Sequence, residues 1–204
     1  MTPSRVLLAT RNAGKVVELR RILSAYAVAG RVDLVGLDDV TAFEPAPETA
    51  PTFAENALAK AREACLATGL PTVADDSGLC VDALNAMPGV LSARWAGRHG
   101  DDQANLDLLL GQLADLPDLR RGGEFVCAAA FWLPDGRSEV VEGVLRGEIV
   151  HLPRGSGGFG YDPVFRPDGD ERTTAELTAQ EKDAISHRGK AFRALAPLLA
   201  AALS

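Results

Sequence analysis

The sequence lacks the patterns that would tie the chain to a membrane, a disulfide framework or a zinc site. No apolar run approaches the roughly 20 residues of a membrane span, and the apolar start VLLA is too short for a signal peptide. The 3 cysteines share no CxxC spacing and the 3 histidines are scattered, which disfavours a disulfide framework and leaves no zinc site visible. Together these absences predict a cytoplasmic protein without a membrane partner.

An excess of basic residues is also missing. The chain carries 21 lysines and arginines against 28 aspartates and glutamates, a net charge of −7. This balance argues against broad, sequence-independent nucleic-acid binding, although a local basic patch can still hold a small anion. Repeats, linkers and low-complexity segments are absent as well. With 204 residues, 47% of them hydrophobic, we expect a single domain over residues 1–204 with a well-buried core.

What is present is a mixture of strand and helix patterns. Apolar runs at 5–9 and 32–37, and the segment TVADD at 72–76, predict strands. Two further apolar segments flank PDGR at 134–137, which predicts a β-hairpin. The alternation of strands with helices predicts an α/β domain with an antiparallel part, and we interpret it as two lobes around a groove.

The helices have equally local signals. Thr52 with Glu55 three residues later predicts a capping box that opens a helix, which Gly69 and Pro71 close. Apolar residues at helical spacing predict three more helices, over 14–26, 101–116 and 191–203.

The segment ATRNAGK, residues 9–15, connects the first predicted strand to the first helix. Such a transition offers backbone N–H groups and a positive helix end to a phosphate. Thr10 and Asn12 add hydrogen-bond donors, and Lys15 adds a point charge. An ordinary connection, with Asn12 as a cap and Lys15 in solvent, explains the segment as well, because the Walker A glycine and Ser/Thr are missing.

The stretch VADDSGL, residues 73–79, places Asp75 and Asp76 directly after apolar residues. We expect the two aspartates to end the strand and to face opposite sides of it. Together with Glu48 in a Pro-rich loop they supply the hard oxygen ligands that Mg²⁺ prefers. Turn and cap roles are the alternative, and DDSG taken alone favours them.

The glycine-rich segment GSGGFGYDPVF, residues 155–165, satisfies G-x-G-x-x-G. A nicotinamide-dependent oxidoreductase is nevertheless disfavoured, since Pro163 prevents the helix that a dinucleotide-binding fold requires. The glycines permit close backbone approach to a ligand. Phe159 offers a ring for stacking and Asp162 an acceptor for N–H groups, unless the segment is a plain turn with core aromatics.

A basic segment, KDAISHRGKAFR, lies near the C-terminus at residues 182–193. For Lys190 and Arg193 we favour a solvated face. On the predicted helix that begins after Thr52, Asn56 and Lys60 are four residues apart and share one face. Considered together, the phosphate loop, the acid cluster, the aromatic and the basic segment predict a nucleoside triphosphate site.

These motifs occur in the order found in a known family. The chain closely resembles the non-canonical purine NTP pyrophosphatases, also called inosine/xanthosine triphosphate pyrophosphatases. The resemblance covers essentially the whole chain and rests on these stretches: ATRNAGK…E at 9–18, ETAPTFAENALAKA at 48–61, ADDSGLCVDAL at 74–84, PGVLSARWAG at 88–97, GGFGYDPVF at 157–165 and AELTAQEKDAISHRGKA at 175–191.

The resemblance implies an α/β fold with a long mixed sheet and two lobes flanking an active-site cleft. It also implies a homodimer that uses Mg²⁺ to hydrolyse ITP, dITP and XTP to the monophosphate and pyrophosphate, removing them from the nucleotide pool. A nucleotide sensor that uses the same pocket without chemistry is the rival hypothesis. It is disfavoured because a sensor needs no general base.

Carried over by position, the resemblance also implies the roles of individual residues. The catalytic residues would be Asp76, Lys15 and Lys60, with Asp76 as the base. The metal ligands would be Asp76 and Glu48, with Asp75 as a further possibility. The substrate would be bound by Thr10, Arg11, Asn12, Ala13, Gly14, Lys15, Ser77, Phe159, Gly160, Tyr161, Asp162, Lys182, His187 and Arg188.

Overall fold

The computed structural model describes residues 4–25, 32–44 and 47–203, and it contains a six-stranded mixed sheet. Its strands are β1 (Ser4–Leu8), β2 (Val32–Val35), β3 (Thr72–Val81), β4 (Gly122–Trp132), β5 (Ser138–Ile149) and β6 (Phe165–Pro167). They lie in the order β2-β1-β3-β4-β5-β6. β1 pairs in parallel with β2 and β3, whereas β5 and β6 are antiparallel. The predicted α/β class and mixed sheet are confirmed.

Five α-helices accompany the sheet in the described residues: α1 (Ala13–Ala25), α2 (Phe53–Thr68), α3 (Asp102–Gln112), α4 (Ala179–Ile185) and α5 (His187–Ala202). The predicted helices are all present, although residue 26 lies outside the described ranges. Sequence patterning missed α4, whose Thr178 and Glu181 form a capping box. None of the helices in these ranges is long and apolar enough to cross a membrane.

Helix α2 begins and ends where the sequence signals lie. The hydroxyl oxygen of Thr52 accepts from the backbone N–H of Glu55 at 3.2 Å. The Glu55 carboxylate accepts from the same hydroxyl, at 2.9 Å. At the other end Gly69 takes a left-handed conformation with φ 71° and donates to the carbonyl of Cys65. These caps fix which residues of α2 face the sheet.

Strand β3 continues past the two aspartates. It runs from Thr72 to Val81, and Leu79 and Val81 beyond the acids are fully buried. Apolar residues that resume after Ser77 give the segment a buried face, so the chain stays extended there. The prediction that Asp75 and Asp76 end the strand was wrong: both lie inside it.

The described chain forms two compact units, and Asp75 and Asp76 belong to the first. This unit comprises the described residues up to Asp76, residues 127–143 and residues 188–203. Its main core consists of apolar side chains from β1, α1, β4 and α5, among them Val6, Leu8, Leu19, Phe131 and Phe192. The first unit therefore carries the loop before α1, helix α2 and the acid cluster.

The second unit comprises residues 77–126 and 144–187. Its core includes Leu79, Leu106, Leu109, Phe125 and Phe165. It carries the glycine-rich segment, α4 and His187. The assignment of residues 1–204 to one domain stays a prediction.

Candidate active site

The loop between β1 and α1 has the predicted strand–loop–helix form. The hydroxyl oxygen of Thr10 accepts from the N–H of Asn12 at 3.3 Å, and Oδ1 of Asn12 accepts from the N–H of Lys15 at 3.1 Å. Asn12 thus caps α1, whose first residue is Ala13. Arg11, Asn12 and Gly14 are exposed and Thr10 is half-buried, so the loop presents its donors to solvent.

Lys15, in the first turn of α1, forms an ion pair with Asp75 on β3. Its ammonium lies 2.9 Å from Oδ2 of Asp75. The same carboxylate oxygen contacts Nε of Arg188 at 3.4 Å, and Arg188 also forms an ion pair with Glu18. Four charges of alternating sign therefore connect α1, β3 and the start of α5.

Burial alone would raise the pKa of Asp75, because a desolvated carboxylate prefers its neutral form. The positive charges of Lys15, Arg188 and Lys60 outweigh this effect and hold the pKa well below its usual range. Burial would likewise lower the pKa of Arg188, but Glu18 and Asp75 raise it instead. Asp75 and Arg188 are thus both ionised at neutral pH.

Asp76 meets a different set of residues, which come from α2 and the loop before it. Its Oδ2 accepts from Nδ2 of Asn56 at 3.0 Å, and its Oδ1 lies 3.4 Å from the ammonium of Lys60. That ammonium also lies 2.8 Å from Oε1 of Glu48. Lys60 thereby bridges the two carboxylates that the resemblance assigns to the metal.

The pKa of Asp76 is shifted in the opposite direction from that of Asp75. Burial raises the pKa of Asp76, and the nearby charge of Lys60 offsets this only in part. Burial lowers the pKa of Lys60, but Asp76, Asp75 and Glu48 outweigh it and raise the value overall. A carboxyl group with a raised pKa binds a proton more readily, which suits a general base.

The two adjacent aspartates lie on opposite sides of β3, as predicted. Asp75 contacts Lys15 on α1 and Arg188 on α5, whereas Asp76 contacts Asn56 and Lys60 on α2. Successive side chains of a strand alternate in direction, so neighbouring acids cannot share one set of partners. Asp75 is held by Lys15 and Arg188, whereas Asp76 is linked to Glu48 through Lys60.

The donor set around Asp76 is compatible with Mg²⁺. A single ammonium contacts both carboxylates, so one cation fits between Glu48 and Asp76. Within the described ranges no group of 3 or more His, Cys, Asp or Glu side chains is suited to a metal. Two protein carboxylates with water and substrate phosphates completing the shell are typical of Mg²⁺ sites. Asp75 is paired with Lys15 and Arg188 on the other side of the strand.

In the second unit the carboxylate of Asp162 organises the glycine-rich segment. Its Oδ2 accepts from the N–H of Phe159 at 2.8 Å and from the ammonium of Lys182 at 2.6 Å. Its Oδ1 accepts from the hydroxyl of Thr174 at 2.8 Å. The ammonium of Lys182 also lies 5.1 Å from the centre of the Phe159 ring, within cation–π range. Three predicted substrate residues are therefore brought together.

The glycines of this segment approach the protein itself closely. Gly158 has φ 72°, and a side-chain carbon there would lie 2.0 Å from Oδ2 of Asp162. At Gly157 the same carbon would lie 2.9 Å from the carbonyl of Ala175. The sequence predicted that the glycines would let a ligand approach the backbone closely. At Gly157 and Gly158 it is the chain's own residues that approach the backbone.

The remaining predicted residues of the second unit have separate contacts. Gly160 donates its N–H to Asp102 at 2.9 Å, and the hydroxyl of Tyr161 donates to the carbonyl of Ser92 at 2.9 Å. His187 is buried and stacks on Phe125, with ring centres 4.8 Å apart. Ser77 is half-buried in β3. Burial raises the pKa of the Tyr161 hydroxyl, which stays protonated.

Two residues that were not predicted as site members contact those that were. Asn56 is 2% exposed and donates to Asp76, and Glu18 is 4% exposed and pairs with Arg188. Glu18 stands next to Leu19 on the apolar face of α1, and an acid at such a position is a signal of a buried ion pair. Asn56 had a weaker signal, its position one helical turn before Lys60.

Comparison with known proteins gives a consistent result over the whole fold. The Ham1 family model matches residues 6–198. The dITP/XTP pyrophosphatase of Streptomyces coelicolor is 63% identical over 196 residues, which cover 96% of this chain and 97% of that protein. The dITP/XTP pyrophosphatase of Nocardia farcinica is 63% identical over 201 residues, covering 98% of this chain and 97% of that protein.

Solved structures agree with the sequence relatives. The crystal structure of a nucleoside-triphosphatase, or dITP/XTP pyrophosphatase, from Mycobacterium abscessus is 58% identical and has a TM-score of 0.77, covering 96% of this chain and 99% of its own. The Ham1 protein of Staphylococcus aureus has a TM-score of 0.83 at 35% identity, covering 96% and 98%. With its motifs, its fold and these matches in agreement, the chain belongs to the Ham1 family.

Proposed function

We propose that the chain is a nucleoside triphosphate pyrophosphatase that hydrolyses dITP, XTP and ITP to the monophosphate and pyrophosphate. The names of its relatives, two of them 63% identical over nearly the full chain, support this activity. The observation that carries the proposal is the pairing of Asp76 with Glu48 through one cationic group, beside a strand that also carries Asp75. A protein that only binds nucleotides needs no general base.

For the chemical step we propose Asp76 as the general base. Burial raises the pKa of Asp76, which suits a group that orients a water molecule and takes its proton. Glu48 and Asp76 would hold Mg²⁺, and a bound Mg²⁺ supplies charge stabilisation for phosphoryl oxygens. In the metal-free chain Lys60 supplies the positive charge between these two carboxylates.

For the triphosphate we propose the loop from Thr10 to Lys15. Backbone N–H groups at the start of α1 and the ammonium of Lys15 attract anions. Asp75 holds that ammonium in place at 2.9 Å. We assign to Asp75 this role as counter-ion of Lys15 and Arg188, and its role as a metal ligand is the alternative.

For the base we propose Phe159, Asp162, Lys182, His187 and Arg188. Hypoxanthine and xanthine carry a 6-oxo group and an N1–H, whereas adenine has a 6-amino group and a bare N1. Donors to O6 and an acceptor for N1–H favour the first pair, and unpaired buried polar groups make such discrimination strong. A stacking ring such as Phe159 contributes affinity for every purine.

The setting of the enzyme is part of the proposal. We propose a cytoplasmic homodimer that clears non-canonical purine nucleotides from the pool and has no nucleic-acid or membrane partner. The net charge of −7 supports the exclusion of broad nucleic-acid binding.

Turnover on a panel of triphosphates tests the proposal. Phosphate is measured after incubation with ITP, dITP, XTP, ATP, GTP and pyrimidine triphosphates, with inorganic pyrophosphatase present or omitted, and with Mg²⁺ or a chelator. We expect phosphate only when pyrophosphatase is present and, because the coupling enzyme itself needs Mg²⁺, we measure the metal requirement from the nucleoside monophosphate, which should form only with Mg²⁺ and far faster from ITP, dITP and XTP. Tight binding without turnover would identify a sensor instead. Phosphate release without pyrophosphatase would identify a different bond as the target.

A further inference from the structure

The ammonium of Lys60 occupies a position between two carboxylates. It lies 2.8 Å from Oε1 of Glu48 and 3.4 Å from Oδ1 of Asp76. Its side chain is 17% exposed, and those of Glu48 and Asp76 are 28% and 7% exposed. The Glu48–Asp76 pair is thus buried enough for one cation to stabilise its two negative charges strongly. It is also exposed enough for that cation to be replaced by another from solution.

The orientation of Asp76 singles out one oxygen for the cation. Nδ2 of Asn56 donates to Oδ2 at 3.0 Å, so Oδ1 is the oxygen that meets Lys60. A divalent cation shared by Glu48 and Asp76 would use the same region of space as the ammonium. A divalent cation and an ammonium on the same oxygens would repel each other twice as strongly as two single charges at the same distance.

We propose that Lys60 is the resident counter-ion of the Glu48–Asp76 pair in the metal-free chain and that it leaves the pair when a divalent cation binds. The inference depends on the proposed function, because it takes Glu48 and Asp76 as the metal ligands. The flexible four-carbon stem of lysine allows its ammonium to move while α2 stays in place. Metal loading then makes the charge of Lys60 available to the triphosphate.

Lys15 provides the contrast within the same unit. Its ammonium lies 2.9 Å from Asp75, on the opposite side of β3, and Arg188 shares that carboxylate. Replacing Lys15 removes the positive charge beside Asp75 but leaves the ammonium of Lys60 between Glu48 and Asp76. Lys15→Met is therefore the matched control for Lys60→Met, since each change keeps a long unbranched side chain.

Mg²⁺ affinity measured by calorimetry without nucleotide is the first test. We expect Lys60→Met to bind Mg²⁺ about tenfold or more tightly than the unmodified chain, because a competing cation at contact distance is gone. Lys15→Met should change the affinity by much less. Lys60→Met binding no more tightly than Lys15→Met, while the unmodified chain binds Mg²⁺, would overturn this inference and leave the proposed function standing.

Amine labelling of the unmodified chain is the second test and needs no variant to fold. The chain is acylated briefly with and without Mg²⁺, and labelling of each lysine is quantified by peptide mass spectrometry. Labelling of Lys60 should rise several-fold with Mg²⁺, whereas the exposed Lys190 should be unaffected. Unchanged labelling of Lys60 at saturating Mg²⁺ would overturn the inference. Absence of Mg²⁺ binding together with Mg²⁺-independent turnover would overturn the inference and the assignment of Glu48 and Asp76 as metal ligands, whereas absence of turnover on every nucleotide would overturn the proposed function.

Discussion

Asn56 on α2 donates from Nδ2 to Oδ2 of Asp76 on β3 across 3.0 Å. The same side chain accepts from the N–H of Ala50 at 3.0 Å and donates to the carbonyl of Ala50 at 3.3 Å. Asn56 thus ties the loop that carries Glu48 to the strand that carries Asp76. Besides Lys60, this buried amide is a second link between the two carboxylates.

Replacement of Asn56 by Ala should raise the Mg²⁺ concentration needed for half-maximal turnover severalfold, because the Glu48 loop loses its attachment to Asp76. Asn105→Ala is the matched control. Asn105 is also 2% exposed and binds the backbone of Ala96 and Ala93, but contacts no acid of the site. Both variants should lose thermal stability, measured as Tm. Equal Mg²⁺ requirements in the two would reduce Asn56 to a structural residue.

Asp76→Asn keeps the shape of the side chain and removes its charge. We expect Mg²⁺-dependent turnover of dITP to fall by at least roughly 10²-fold, the effect typical of losing a general base. The exposed Asp115 provides the control, since Asp115→Asn should leave turnover unchanged. Pyrophosphate release at saturating substrate measures both. An Asp76→Asn enzyme of near-normal activity would remove Asp76 from the catalytic centre.

Lys15→Ala should weaken both substrate affinity and rate, because the charge of Lys15 is proposed to hold the triphosphate before and during bond cleavage. Steady-state measurement of kcat and KM with ITP is the check, with the exposed Lys190→Ala as the control. Unchanged kinetics in Lys15→Ala would leave the loop at residues 10–15 as a plain connection between β1 and α1.

Asp75 should contribute to stability in a pH-dependent way. Its folded-state pKa lies below the ordinary value of about 3.9, so its ionised form is favoured by folding. The contribution is present above pH ~4 and is lost as the pH falls from there through the folded-state pKa. Asp75→Asn should cost about 3–5 kcal/mol at neutral pH, because buried cations lose their partner.

Urea unfolding from pH 7 to pH 3 tests this expectation for Asp75. The difference in free energy of unfolding between the unmodified chain and Asp75→Asn should be largest at pH 7 and should shrink below pH ~4. A difference that is constant over the whole range would show that the charge of Asp75 is not what stabilises the fold.

Arg188 should influence base selection more than Lys15 does. Each of the two residues contacts Oδ2 of Asp75, so each Ala variant removes one cation from the same carboxylate. If Arg188 reads O6 of the base, only Arg188→Ala lowers the ratio of kcat/KM for ITP to that for ATP. Equal loss on both nucleotides in the two variants would show that Arg188 does not read the base.

Local chemistry made much of this structure predictable. The loop before α1, the caps of α2 and the opposite directions of Asp75 and Asp76 each depend on residues close in sequence, and all three are confirmed. The hairpin between β4 and β5 is another such case, with Leu133 donating to the carbonyl of Arg137 across the turn. Where neighbours determine a feature, the pattern of residue types is sufficient.

Contacts between distant segments were not predictable in the same way. Glu18 and Arg188 are separated by 170 positions, and Asn56 and Asp76 by 20. The sequence shows an acid on an apolar helix face and an amide near a lysine, but not which partners they meet. The continuation of β3 past Asp76 was not predicted for a related reason. Asp, Ser and Gly favour turns unless neighbouring strands hold them extended.

Asp75 and Asp76 are adjacent on β3 but have different partners, and this has a consequence for insertions and deletions in this segment. Deleting or inserting one residue before Asp75 would turn each following side chain to the other face of the sheet. Asp75 would then point toward α2 and Asp76 toward Lys15, and each acid would meet the other's surroundings. A change of length between Thr72 and Asp76 therefore alters the surroundings of both acids at once, whereas a single substitution alters one of them.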